Sequence, residues 1–262
     1  MSSLQPDVNQ PDLKDFLDEK FDKYNRPEFI ESDPVQIPHL FSDPNDIEIS
    51  AFLAATIAWG QRPTIIKNMA RLMSLMDNAP HDFVVNCSRH ERERFRFFVH
   101  RTFNGTDCIF FLESLQNIYK NHGGLGELFQ GIYLYKKEIK ETLSGIRKTF
   151  FEIDHPKRTE KHFADVLKGA SAKRLNMFLR WMVRNDKRGV DFGLWNKIPA
   201  SALYLPLDVH SGNVARKLGL LKRKQNDWQA VEEVTSNLRI LDANDPVKYD
   251  FALFGLGIFE KF

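Results

Sequence analysis

Two side chains in this sequence have the type and the setting for chemistry, Lys173 and Asp208. Asp208 closes the stretch Leu205-Pro206-Leu207-Asp208 and stands just ahead of a helical run through Val214, Ala215 and Leu218. A carboxylate behind a Pro-bearing loop and before a helix is held in place and can present one fixed negative charge to a cleft. There it could stabilise a developing positive charge or take a proton. The same position serves equally as a plain helix N-cap, which needs no chemistry. Lys173 falls in the first turn of another helix, where a cation opposes the macrodipole. A locally unfavourable residue is a candidate for function. The positive helix end and partial burial would both favour its neutral amine, the form that attacks a carbon centre. The competing reading is a solvated lysine beside an equally solvated Arg174.

The segment that carries Lys173 reads as two helices meeting at a very short turn. Phe163, Val166 and Leu167 mark the first helix and Gly169 ends it. Ser171 can cap the second, which opens with Ala172, Lys173 and Arg174. Such a turn leaves unpaired backbone N–H groups at a positive helix end, which suits a nucleic-acid phosphate. A glycine-turned helix pair is also an ordinary feature of any helical domain.

The elements that must hold these residues read as helices throughout. Leu13, Phe16, Leu17 and Phe21 share one helical face. Residues 25–42 carry Pro27, Pro34 and Pro38 and read as an extended connection. Asp43-Pro44 opens a helix that is apolar nearly all round, with Gly60 as its expected stop. Spacings of three and four recur through Ile65–Met76, Ile109–Tyr119, Leu125–Ile132, Ile139–Phe150 and Leu175–Met182. Asp227 caps a further helix, and Asp245-Pro246 opens the last. No period-2 strand and no Asn-Gly hairpin signal is present, so the expected class is all-α. Residues 1–11 read as a loose polar arm.

Composition sets the outer limits. The 262 residues suffice for one large domain or two lobes sharing a core, and 42% apolar with 27% charged residues is ordinary for a globular chain. A net charge of +2 excludes a polybasic nucleic-acid coat but leaves room for a local basic face. The 22 phenylalanines imply a Phe-rich core, with a few aromatics free to line a base-sized pocket. Cys87 and Cys108 are too few for an Fe–S cluster, which takes about four ligands, and read as free thiols. No metal motif and no cofactor motif is found. With no signal peptide and no apolar run of membrane length, the expected location is the cytoplasm.

The stretch Asp208, His210, Val214, Leu218, Gly219 and Leu220 resembles the aspartate loop of the helix-hairpin-helix DNA glycosylases, with Val209 at a threonine position and Lys217 at an arginine position. Leu167-Lys168-Gly169-Ala170-Ser171-Ala172-Lys173 resembles their hairpin, with Lys168 for a proline and Ser171 for the second glycine. The archaeal 8-oxoguanine branch is the most similar, and an allied bacterial family of unknown function also resembles the chain. The resemblance spans roughly residues 46–76 and 159–258. Lys173 and Asp208 keep the family's order but stand 35 positions apart, a longer interval than in most members.

The resemblance implies a two-lobed all-α fold with a cleft between the lobes. It divides the chain into an N-terminal arm and helix (1–42), a helical lobe (43–158), and a hairpin and aspartate lobe (159–262) packed with the N-terminal helix. It implies a DNA repair glycosylase, with or without abasic-site lyase activity, that excises a damaged purine such as 8-oxoguanine. Lys173 is then the nucleophile and Asp208 its assistant. Gln61 matches a residue that fills the hole left by an extruded base, beside Arg62. Gly169, Ser171, Arg174 and His210 would contact nucleic acid, and Trp59, Phe178, Trp181 and Trp195 are candidate walls for the base. The implied partner is damaged double-stranded DNA, bound by a monomer. Two other readings stand beside it: a non-catalytic nucleic-acid binder of the same fold, and a helical protein with no DNA role.

Overall fold

The computed structural model describes residues 10–262, and the arm expected over residues 1–11 lies outside them up to residue 9. Residues 10 and 11 already belong to the first helix, α1 (Gln10–Tyr24). The described chain is mostly helical, as its 3.6-residue periodicity requires. After α1 come α2 (Pro44–Thr56), α3 (Arg62–Leu75), and the short α4 (Pro80–Asn86) and α5 (Arg89–Arg92). Then follow α6 (Gly105–Asn121), α7 (Leu125–Lys136), α8 (Ile139–Phe150) and α9 (Lys173–Val183). The last three are α10 (Val209–Lys217), α11 (Trp228–Leu241) and α12 (Tyr249–Ile258).

Several expectations need correction. The Pro-bearing connection is not extended. It folds as three successive 3-10 turns, Pro27–Ser32, Pro34–Gln36 and Pro38–Leu40, each opened by its proline. Proline at the first position has no N–H to lose and a φ already near the helical value. Helix α2 ends at Thr56, before Gly60. Ile57, Ala58 and Trp59 continue as hydrogen-bonded turns to a Gly60 with φ +104°. A small antiparallel hairpin, β1 (Val99–His100) and β2 (Phe103–Asn104), was not expected. Strands of two residues are too short to show a period of two. Asp245-Pro246 opens a 3-10 turn that leads into α12.

Helix α2 is the centre, buried along almost its whole length and packed against α9, α4 and α7. Asp43 caps it by accepting from the N–H groups of Asn45 (2.8 Å) and Asp46 (3.3 Å). Helix α12 lies between α1 and α10, so the N-terminal helix packs on the C-terminal region. Gly255 makes that approach possible, because a side chain there would run into the Tyr24 ring. The buried apolar residues form one connected cluster from Leu13 to Leu256, rich in phenylalanine. Cys87 and Cys108 are buried free thiols. Among the described residues no helix is long and apolar enough to cross a membrane.

Candidate functional site

The turn before α9 differs from the expected helix pair. Its first helix is a single 3-10 turn, Val166–Lys168, capped by Asp165 through the N–H groups of Leu167 (3.2 Å) and Lys168 (3.4 Å). Gly169, at φ +85°, reverses the chain. Ser171 does not cap α9. The cap position is Ala172, in the left-handed region at φ +50° with no side-chain hydrogen bond to offer. A non-glycine residue held there costs of order 1 kcal/mol and must be fixed by its surroundings. The fixing contacts come from the segment before α11. Trp228 N–H donates to Gly169 O (2.9 Å), and Ala170 forms a β-bridge with Asp227.

Along α9, Lys173, Met177 and Arg180 fall on one face at helical spacing. Lys173 is half-buried, and among the described residues its Nζ reaches only the Met177 thioether sulfur, 3.4 Å away. A thioether is a weak acceptor for an ammonium. Arg174 points the other way. Its guanidinium donates to Thr56 O and to His162 O (3.3 Å) and lies over the Trp59 ring at 4.8 Å. Burial lowers it to about 10. The arginine therefore braces α9 to the end of α2.

Asp208 is held by a capping box. Its Oδ1 accepts from His210 N–H (2.9 Å), Ser211 N–H (2.9 Å) and Ser211 Oγ (3.2 Å), and its own N–H donates to Ser211 Oγ (3.0 Å). The expected N-cap role is thus filled by one oxygen. Oδ2 takes no hydrogen bond among the described residues. Asn226 Nδ2 donates to Asp208 O (3.0 Å), tying this loop to the segment that also fixes the Gly169 turn.

Lys173 and Asp208 line one cleft of about 560 Å³. Trp59 and Arg62 form one wall, Ser171 and Arg174 flank the lysine, and His210 stands exposed beside Asp208. Asp33, which caps the second 3-10 turn, reaches the same cleft. Trp59 is held from two sides. His100 Nε2 lies 3.1 Å from its carbonyl oxygen with the imidazole edge-on at 5.0 Å, and His162 stacks at 6.0 Å. Burial pushes the His100 imidazole down, so it is neutral at pH 7. Arg62 spreads over the Phe254 ring at 4.6 Å.

The remaining sequence candidates lie elsewhere. Gln61 is exposed before α3 and makes no capping bond. Gly169 lies in the turn and does not line the cleft. Phe178, Trp181 and Trp195 are fully buried in the core, and none lines the cleft. Trp195 donates to Glu48 Oε1 (2.7 Å) and packs between Phe129 and Phe178. Phe178 lines a separate pocket of about 320 Å³ that shares Ser171, Lys173 and Arg174 with the cleft. Sequence reasoning missed Asp33, Arg180 and Asp250, which gather beneath Lys173. A signal existed for Asp250, a lone carboxylate between Tyr249 and Phe251 in an otherwise apolar helix. Among the described residues no group of histidine, cysteine and carboxylate side chains is placed to hold a metal ion.

The chain belongs to a family described as a protein of unknown function (DUF2400), whose model matches residues 33–259. No curated protein and no solved structure matches it.

Proposed function

We propose that this chain is a DNA repair glycosylase with abasic-site lyase activity, acting on a damaged purine such as 8-oxoguanine in double-stranded DNA. One observation carries the reading: an amine and a carboxylate from distant parts of the chain, Lys173 and Asp208, line one cleft. Its volume, about 560 Å³, falls in the range of small-molecule sites and admits a nucleoside. A base inside a duplex is out of reach of any side chain, so it must be extruded, at a cost of a few kcal/mol. Gln61, exposed near the Trp59 wall, is the residue to fill the gap. Trp59 offers the flipped nucleotide an aromatic face, and Arg62 and His210 offer donors to phosphate.

Cleavage of the N-glycosidic bond leaves positive charge on the sugar. Asp208 faces that charge with the oxygen its capping box leaves free. Lys173, as the neutral amine, adds to the sugar carbon as the base departs. The adduct opens to an imine, and elimination then breaks the strand. The rate advantage comes from fixed geometry, since both groups sit on rigid helix ends.

Borohydride trapping on labelled duplexes carrying 8-oxoguanine, uracil or an abasic site tests this, with Lys173→Ala and Asp208→Asn alongside. A covalent adduct on a damaged-base duplex, lost in Lys173→Ala, is the expected result. Salt-dependent binding with no adduct and no base release would leave a non-catalytic nucleic-acid binder. Absence of all three would remove the DNA reading.

A further inference from the structure

A nucleophilic lysine must lose a proton, and that proton needs an acceptor. Beneath the cleft lies a small pocket of about 30 Å³, more than the roughly 10–15 Å³ that one water needs. Lys173 and Arg180 reach it from α9, Asp208 from the loop before α10, Asp250 from α12, and Asp33 from the 3-10 turns. Its other walls are aromatic rings, Pro206 and Met177. Three carboxylates therefore face two cations, and Arg180 is shared with a further carboxylate, Asp191, at 3.2 Å.

The three carboxylates differ as proton sinks. Asp208 Oδ1 already accepts three hydrogen bonds, which stabilise its charge, and the proposed chemistry needs that charge. Burial raises Asp33 too, but its Oδ1 accepts from Val35 N–H at 3.0 Å, a bond that opposes the rise and holds its 3-10 turn. Asp250 is buried, its Oδ2 is paired with Arg180 Nη1, and its Oδ1 takes no hydrogen bond among the described residues.

We infer that Asp250 takes the proton shed by Lys173, through one water seated in this pocket, so that Asp208 stays ionised toward the cleft. The step balances. The Lys173 ammonium gives one proton to the water, the water gives one of its own to an Asp250 oxygen, and a neutral amine, a neutral carboxylic acid and the water remain. Burial raises Asp250 to about 6, against the opposing pull of Arg180 and Lys173. It is thus ionised at neutral pH yet a better acceptor than an ordinary carboxylate. Asp250 touches no reacting atom and acts as a positioning residue for the proton of Lys173. The inference rests on the reading of Lys173 as nucleophile.

The test separates the two. Reductive methylation with carbon-13 formaldehyde labels Lys173, and Lys173→Arg identifies its resonance. Followed by NMR across the acid range, that resonance should carry a second inflection at about 6, the titration of Asp250. The inflection should vanish in Asp250→Asn and persist in Asp33→Asn. In Arg180→Gln, which keeps the carboxylate and removes its cation, the inflection should move upward; this variant decides the matter if Asp250→Asn does not fold. An inflection that survives Asp250→Asn, that disappears only in Asp33→Asn, or that ignores Arg180→Gln overturns the inference. On a damaged duplex, the wild-type trapping rate should fall about tenfold per pH unit below that inflection. Asp250→Asn should lose this acid limb, with a plateau about 100-fold lower. An unchanged limb also overturns the inference. No trapping by the wild type on any duplex would remove the glycosylase reading, while the inflection decides the Lys173–Asp250 pair on its own.

Discussion

One helix, α9, carries charge in two very different ways. Toward its C-terminal end, Arg180 and Arg184 are buried and fully engaged. Arg180 bonds Asp191 (3.2 Å) and Asp250, and Arg184 bonds Asp191 (2.5 Å), Asp186 (3.0 Å) and Asp245 (2.8 Å). At its N-terminal end, Lys173 is half-buried with a thioether as its one hydrogen-bond acceptor among the described residues. Buried charges that satisfy each other are structural, and removing one partner strands the rest. A cation set against the helix dipole with no ion pair of its own is a candidate for function. The difference separates framework from chemistry between Lys173, the first residue of α9, and Arg184, the cap residue that ends it.

The largest effect should follow from breaking the engaged end. Arg184→Ala takes one of two cations from buried Asp191 and the cation from half-buried Asp245, and should cost about 3–5 kcal/mol in urea unfolding. A loss below about 1 kcal/mol would mean the network is no more than surface pairing. Next comes the junction of the two regions, Asp250. Its carboxyl is raised from 3.8 to about 6, so between those values the folded state binds the proton more tightly than the unfolded chain. Its contribution is present below about 3.8 and is lost as pH rises through about 6, up to about 3 kcal/mol. Stability measured against pH for the wild type and Asp250→Asn should diverge in that window with this sign.

At the idle end the expectation is near zero. Lys173→Met removes a cation from a positive helix end, a gain of about 0.3–1 kcal/mol. It also takes a favourable charge from buried Asp33 and Asp250. The two offset, and stability should change by less than about 1 kcal/mol. The same variant should yield no borohydride adduct. A loss of about 3 kcal/mol or more in Lys173→Met would place the lysine with the framework. The smallest effect belongs to Ser171→Ala, since Ser171 makes no capping bond. The change should stay within roughly 0.3 kcal/mol, whereas loss of a true cap costs about 1 kcal/mol. Chemical denaturation of both variants in one buffer resolves the pair.

Much of this contrast could be read from the sequence, but unevenly. Helices α3, α6, α8, α9 and α11 announce themselves by apolar spacing, and Asp43, Asp208 and Asp227 cap as their positions suggest. The stripe Leu175, Phe178, Leu179 and Met182 marks the core face of α9, and that regularity drew attention from the polar stripe Lys173, Met177 and Arg180 on another face. The prolines of residues 27–40 suggested extension, because sequence shows that proline disfavours a helical residue before it but not that each one can open a new 3-10 turn. Phe178, Trp181 and Trp195 show the limit of reasoning by residue type: an aromatic ring suits a base or a core equally, and only the fold decides. The meeting of residues 33, 180 and 250 beneath Lys173 depends on how α12 packs, which no local pattern records.

The three residues Asn226, Asp227 and Trp228 grip both halves of the cleft at once. Asn226 holds the carbonyl of Asp208, while Asp227 and Trp228 bridge to Ala170 and Gly169 just before Lys173. The gap between amine and carboxylate is therefore set by a shared jig, with neither helix adjusting it alone. Two tools clamped to one bench stay aligned when the bench moves. By the same logic, a substitution at Asn226, which supplies no reacting group, would change the spacing of the pair by freeing the Asp208 carbonyl, and leave the capping box on the Asp208 carboxylate in place.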